Sequence, residues 1–264
     1  MTQQEMMLLV PQKLKEIEKE YGIRVLYAVE SGSRAWGTNS ESSDFDIRFL
    51  YIRPREDYLR LVPYRDVLEF GISDGWDMCG WDLSKLLKLL HNANSQIYEW
   101  FHSPVVYVDD GLSERIRPLL EEYFAVKTAV HHYLNQAEMK MKQARRAELP
   151  KVKHYLYTLQ HYASARWILA HRAAPPVSFS AVTALLPEEI CREAQKLLLR
   201  KITRPQEPLM PRHSSLEAWV EEENIRIRQL IEQLPVAEEK NWEALDRFFL
   251  EELERQQYSK QKPV

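Results

Sequence analysis

Asp44 and Asp46 are separated by a single residue in the run Asp44-Phe45-Asp46-Ile47-Arg48-Phe49-Leu50-Tyr51-Ile52, whose first half alternates polar and apolar. On a strand, residues i and i+2 project from one face, so this spacing points both carboxylates the same way. Two carboxylates side by side repel unless a cation lies between them. Mg²⁺ takes one or two carboxylates together with phosphate oxygens, and a pair of such ions can activate a nucleophile and neutralise a leaving pyrophosphate. Just upstream, Ser31-Gly32-Ser33 is a turn of small residues, followed by Arg34-Ala35-Trp36-Gly37. Gly32 lets the backbone turn tightly and approach a ligand, and Ser33 places a hydroxyl at the start of a short helix. Exposed amides there can hold a phosphate. The stretch reads as a triphosphate cradle beside a site for Mg²⁺, with Mn²⁺ able to take its place.

The fuller text, Gly32-Ser33-Arg34-Ala35-Trp36-Gly37 followed by Ser43-Asp44-Phe45-Asp46-Ile47-Arg48-Phe49-Leu50-Tyr51, resembles the DNA polymerase β nucleotidyltransferase superfamily. Within it, the sequence is similar to a branch of RNA-repair-associated polymerase-β-like nucleotidyltransferases. Further motifs of that branch stand here as Gly80-Trp81-Asp82-Leu83-Ser84-Lys85, as Asn94, Glu99-Trp100, Ser103-Pro104 and Tyr107, and as Lys153-His154-Tyr155-Leu156-Tyr157 with Arg166-Trp167. The likeness extends over roughly residues 25–170. It implies transfer of a nucleoside monophosphate from an NTP, and a third acidic residue contributed by a neighbouring strand. Asp77 and Asp82 are the contenders. Asp77 lies within the strand-like 76–79, whereas Asp82 directly precedes a helix and is explained well enough as its N-cap. Asp77 is therefore the expected third catalytic and metal-binding carboxylate.

Around this core the expected substrate contacts are Gly32, Ser33 and Arg34 at the phosphates. Arg48 continues the Asp44/Asp46 face by one more alternation and either meets a phosphate or balances the carboxylates. Farther on, Lys140, Lys142, Arg145, Arg146, Lys151 and Lys153 form a basic run. Such runs are usually solvated helix faces. The sharper reading is a wall over the triphosphate or an RNA backbone. Lys153 and Tyr157 stand one turn apart on one face and are the pair expected on such a wall. His131, His132, His154 and His161 lack a Cys partner or an HExxH spacing, so packing or solvent exposure explains them better than zinc.

These residues need elements to hold them. Residues 9–21 have helical periodicity ending near Gly22, and 23–29, 44–52, 67–72 and 76–81 read as strands, with Ser73-Asp74-Gly75 as a turn. Residues 83–91 form an amphipathic helix capped by Asp82. Beyond Tyr107 the pattern is helical, over 120–147, 153–172, 188–202, 216–234 and 242–257, with Pro175-Pro176 and the loop of Pro205, Pro208 and Pro211 as breaks. The tail 259–264 is polar and expected to fray. The expected class is α+β: a small mixed-sheet nucleotidyltransferase domain over residues 1–108, then a helical bundle over 109–264.

Composition sets outer bounds. The 264 residues are 45% hydrophobic and 28% charged with a formal net charge of -3, which gives no global case for nucleic-acid binding. Two distant cysteines, Cys79 and Cys191, make neither a disulfide framework nor a metal cluster and suit a reducing cytoplasm. The N-terminal residues lack the basic and apolar regions of a signal peptide, and no stretch is apolar for long enough to cross a bilayer. The expected partners are an NTP and an acceptor, with an RNA end among the acceptors. A protein hydroxyl as acceptor, or NTP binding without turnover, are the competing readings.

Overall fold

In this computed structural model, residues 1–73, 75–204, 208–235 and 240–261 are described. Asp74 of the expected turn, Pro205 of the proline loop and the end of the tail at 262–264 lie outside them. A capping box opens the chain. Thr2 Oγ1 accepts from the Glu5 amide at 3.2 Å, and the Glu5 carboxylate accepts from the Thr2 amide at 2.7 Å. Helix α1 (Gln3–Tyr21) starts here, earlier than its periodicity suggests, and buries Met6, Val10, Leu14 and Ile17. Gly22, with φ of 64°, ends it.

The next elements are β1 (Arg24–Glu30), α2 (Gly32–Trp36), β2 (Phe45–Ile52), α3 (Arg55–Tyr58), β3 (Val67–Ser73) and β4 (Trp76–Asp82), followed by α4 (Leu83–His91), α5 (Ser95–Phe101) and β5 (Val106–Asp109). The strands form one mixed sheet in the order β3-β4-β2-β1-β5. Only the β2–β4 pairing among these is parallel. Alternation along β2 sends Phe45, Ile47, Phe49 and Tyr51 to one face, where α1 covers them. Asp46, Arg48, Leu50 and Ile52 share the other face. Leu50 and Ile52 are buried beneath α4, α5 and two later helices, while the half carrying Asp46 and Arg48 stays open.

The remaining helices are α6 (Leu112–Tyr123), α7 (Val126–Arg146), α8 (Val152–His171), α9 (Phe179–Thr183), α10 (Glu188–Ile202), α11 (Ser214–Glu232) and α12 (Glu243–Gln261). The expected single helix at 120–147 is broken at Phe124 and Ala125, both extended. The apolar stripe runs on, but the surface it meets changes. Tyr123 packs in the cluster over the sheet, whereas Val130, Tyr133, Ala137 and Met141 pack with α8 in a separate core. Leu245, Phe248 and Leu253 of α12 return to the sheet cluster, and Arg115 of α6 grips the buried Glu252 at 2.6 and 2.9 Å. The fold is therefore α+β, and helices from beyond residue 108 help to cover the sheet. Among the described residues no helix is long and apolar enough to cross a membrane.

Candidate active site

The turn between β1 and α2 is built around Asp46. Ser31 donates its amide to the Asp46 carbonyl at 2.8 Å, fastening the turn to the start of β2. Gly32 has φ of 59°, and a Cβ added there would collide with the Asp46 carboxylate. Both facts demand glycine. The backbone that comes close is thus against a carboxylate of the site itself. Thr38, fully buried, donates its amide to the Ser33 carbonyl at 2.8 Å and closes the turn.

Arg34, expected at the phosphates, holds its own loop. Its Nε donates to the Asp44 carbonyl at 3.1 Å and its Nη2 to the Ser43 carbonyl at 2.7 Å. Its guanidinium lies 3.7 Å from the Phe45 ring centroid. These contacts clamp the loop before β2, and they follow from a planar fork of donors meeting two successive carbonyls.

The carboxylates come together through the parallel ladder, which pairs Asp46 with Asp77 and Arg48 with Cys79. Arg48 Nη2 donates to Asp46 Oδ1 at 3.2 Å and to Asp77 Oδ2 at 2.7 Å, while Nη1 donates to the Asp77 carbonyl at 2.9 Å. Burial raises the Asp46 carboxyl above its ordinary value. Arg48 opposes that shift, and the neighbouring Asp77 and Asp44 add to it. Asp82, at the far end of β4, accepts from the Ser84 amide at 2.8 Å and from the Tyr58 hydroxyl at 2.9 Å. It is the cap of α4.

One cleft of about 580 Å³ gathers most of the expected residues. Gly32, Ser33, Asp44, Asp46 and Asp77 line it from the sheet region, together with Lys153, Tyr157, Lys201 and Pro208 from the later part of the chain. Tyr157 sets its ring edge-on to Trp36 of α2 at 5.1 Å between centroids. A larger cavity of about 670 Å³ at the other end of the sheet is lined by Arg53, Tyr58, Asp82 and α12. It also carries Asp57, Asp66 and Asp246, but none of Gly32, Ser33, Asp44, Asp46 and Asp77 lines it and its Asp82 caps α4, so the smaller cleft is where the expected residues converge. Of the basic run, Arg145 is tied to Glu221 of α11 at 2.6 Å, whereas Lys153 reaches the cleft. His161 is buried, and burial with the nearby Lys140 pushes its imidazole down to about 3.

Two residues of the site had little local signal. Glu30, fully buried, accepts the Asp46 amide at 2.7 Å and the Tyr107 hydroxyl, and Gln3 in turn donates to Tyr107 at 3.0 Å. Burial pushes the Glu30 carboxyl up, and these donors oppose it. Lys201, at the end of α10 and 6% exposed, donates its Nζ to the Thr38 carbonyl. Nothing in its own helix marks it, although a buried lysine is uncommon enough to need a partner.

Among the described residues no three His, Cys, Asp or Glu side chains form a ready metal cage. Mg²⁺ does not require one, since phosphates and water complete its shell. Asp44, Asp46 and Asp77 offer only hard oxygens, and Arg48 already supplies a cation between two of them, so the donor set fits that ion.

Comparison with known proteins identifies the family of the chain. A family model described as "RNA repair pathway DNA polymerase beta family" matches residues 6–251. The chain belongs to that family. The match takes in the sheet and the helices as far as the first half of α12, so all the residues lining the cleft lie within it. The uncharacterised protein YcgL of Bacillus subtilis (strain 168) is 35% identical over 245 residues, covering 92% of this chain and 94% of its own. A nucleotidyltransferase-like protein from Exiguobacterium sibiricum 255-15, known from a crystal structure, is 16% identical, covering 84% of this chain and 74% of its own with a TM-score of 0.31.

Proposed function

We propose that the protein is a Mg²⁺-dependent nucleotidyltransferase of the cytoplasm, moving a nucleoside monophosphate from an NTP to an acceptor hydroxyl. The observation that carries this reading is the cleft in which Asp44, Asp46 and Asp77 share a space with Lys153 and Lys201. A triphosphate needs cations on every side, and a carboxylate cluster alone would repel it. Carboxylates and lysines lining one cleft supply both metal ligands and a direct electrostatic contact.

In this scheme Ser33 and the α2 turn hold phosphate oxygens, Lys153 and Lys201 meet the chain of phosphates, and Tyr157 against Trp36 lines the nucleotide. Asp44, Asp46 and Asp77 would hold Mg²⁺, whose charge would offset that building on the leaving pyrophosphate. Asp77 orients the acceptor hydroxyl and receives its proton. The acceptor oxygen bonds to the α-phosphorus as the bond to the bridging oxygen breaks, and pyrophosphate departs. Catalysis here is positioning and charge balance, which is what phosphoryl chemistry demands. The two cysteines are unpaired and partly buried, which suits a reducing compartment. The family description favours an RNA end as acceptor.

The test is purified protein with Mg²⁺ and each labelled NTP, with RNA and with no added acceptor. Label passing to RNA supports the reading in full, and label passing to the protein itself redirects it to protein adenylylation. No label moved and no pyrophosphate released, with NTP bound, would make the protein a nucleotide-binding module. Asp44→Asn and Asp46→Asn should each abolish turnover while the protein stays folded, and activity retained in both would remove the assignment.

A further inference from the structure

A second cavity, of about 420 Å³, continues from the cleft along the same face of the sheet and shares Asp77 with it. Strand register explains the continuity. Asp77, Cys79 and Trp81 alternate on β4 opposite Asp46, Arg48 and Leu50, and Glu69 of β3 faces Cys79. Helix α5 closes the far side with Gln96 and Trp100. Arg48 lines this cavity and holds Asp77, so that pair forms the partition between the two spaces.

Resting on the nucleotidyl-transfer reading, we propose that this cavity is the acceptor subsite, and that it takes an uncharged, ring-bearing alcohol, a ribonucleoside being the form that fits its groups. The first argument is stereochemical. Attacking and leaving oxygens lie roughly in line on opposite sides of the phosphorus. The cleft side carries Lys153 and Lys201, which suit the triphosphate and its leaving pyrophosphate. The attacking hydroxyl must then arrive from beyond Asp77, and that is where the second cavity opens.

The second argument is the lining. Trp100, 1% exposed, packs at a tilt against Trp81 with 4.1 Å between ring centroids and backs the cavity. Trp81 offers ring surface, and base-on-aromatic contacts are tolerant of which base is present. Gln96 can both donate and accept. The charges argue against an anion deep in the cavity. Arg48 is committed to Asp46 and Asp77, and Glu69 accepts from Arg65 at 2.6 Å. Among the described lining residues no further cation is present. A nucleoside bearing its own free hydroxyl meets the Trp81 ring and the Gln96 amide without bringing a phosphate into the cavity.

Cys79 lines the cavity and is partly exposed, which gives a readout independent of turnover. In Cys191→Ser protein, alkylation of Cys79 by N-ethylmaleimide should slow at least threefold when adenosine is added, and remain unchanged with inorganic pyrophosphate. Equal labelling with and without adenosine would overturn the proposal, as would protection by a serine-containing peptide in adenosine's place. A second variant, Gln96→Trp, changes an exposed helix position and fills the cavity from α5. Labelled NTP should bind it within twofold of wild type, while transfer to adenosine should fall at least tenfold through a raised KM for adenosine. Undiminished transfer would overturn the subsite. Wild type in which adenosine protects Cys79 but no label moves would instead remove the transfer reading, and the acceptor role with it, leaving a nucleoside-binding cavity.

Discussion

Arg48 Nη2 stands 2.7 Å from Asp77 Oδ2, although the parallel ladder pairs Arg48 with Cys79 and Asp77 with Asp46. The guanidinium reaches back along the pleat and takes Asp46 Oδ1 at 3.2 Å on the same nitrogen. It occupies the electrostatic position that a divalent ion would share. Removing it should therefore expose the repulsion between the two aspartates. Hydrogen bonds to charged groups contribute about 1.5–3 kcal/mol, and the partial exposure of this trio reduces that to about 1 kcal/mol. Arg48→Met should lower the melting temperature in EDTA by a few degrees, and MgCl₂ should restore more of it than it adds to wild type. An equal response of both proteins to MgCl₂ in a thermal melt would show that Arg48 and the ion do not share a role.

Asp77 and Asp82 end the same strand and can be separated by kinetics. Asp77→Asn should lose orders of magnitude in kcat with NTP affinity little changed, because an interaction of the transition state is removed. Asp82→Asn should be mild, since asparagine also caps helices and still accepts from Ser84 and Tyr58. Asp82→Ala should cost about 1–3 kcal/mol in chemical denaturation and leave the rate per folded molecule intact. A normal rate for Asp77→Asn beside an inactive Asp82→Asn would exchange the two roles.

Lys201 joins the helical wall to the turn through the Thr38 carbonyl, and Thr38 in turn holds Ser33. Loss of the ammonium should loosen the phosphate side of the cleft from both ends. Lys201→Met should raise the KM for NTP about tenfold, equivalent to about 1.4 kcal/mol of binding. Lys142→Met makes the same charge change at an exposed position of α7 and should leave KM alone. If both variants shift KM equally, the effect is the general field of the protein and not this contact.

What the sequence disclosed follows from the range of the forces involved. Asp44 and Asp46 share a face because alternation is local, and the cap of α4 by Asp82 needs only three residues of chain. The start of α1 was equally local, but its capping box lies ahead of the apolar stripe that drew attention to 9–21. The break at Phe124 was hidden because an unbroken stripe can serve two different packing surfaces. The hold of Arg34 on its own loop is hidden for a related reason: a cation in such a turn looks the same whether it meets a ligand or backbone carbonyls. Glu30 and Lys201 depend on partners 16 and 163 residues away, and no periodicity encodes such distances.

Glu99 offers a pH test of the junction between the sheet region and the helices. Its carboxylate accepts from the Tyr133 hydroxyl at 3.0 Å, linking α5 to α7. Burial pushes its carboxyl up to about 7, with the Tyr133 bond opposing. An acid raised above its unfolded value keeps its proton in the folded state after the unfolded chain has released it. Stability from this group is therefore full below about 4.5 and is lost as pH rises towards 7. At about 1.4 kcal/mol per unit the loss has an upper limit near ~3 kcal/mol, and the part of the side chain that reaches solvent lowers it. His161, held down to about 3, gives the opposite slope between 3 and 6.5, so the wild-type profile alone mixes the two. Glu99→Gln keeps the shape and an acceptor for Tyr133 but carries no titrating proton. The melting temperature of the Glu99→Gln variant minus that of wild type should climb steadily from pH 4.5 to 7 and level off above it. A difference that stays flat across that window would mean that Glu99 is ionised in the folded protein throughout.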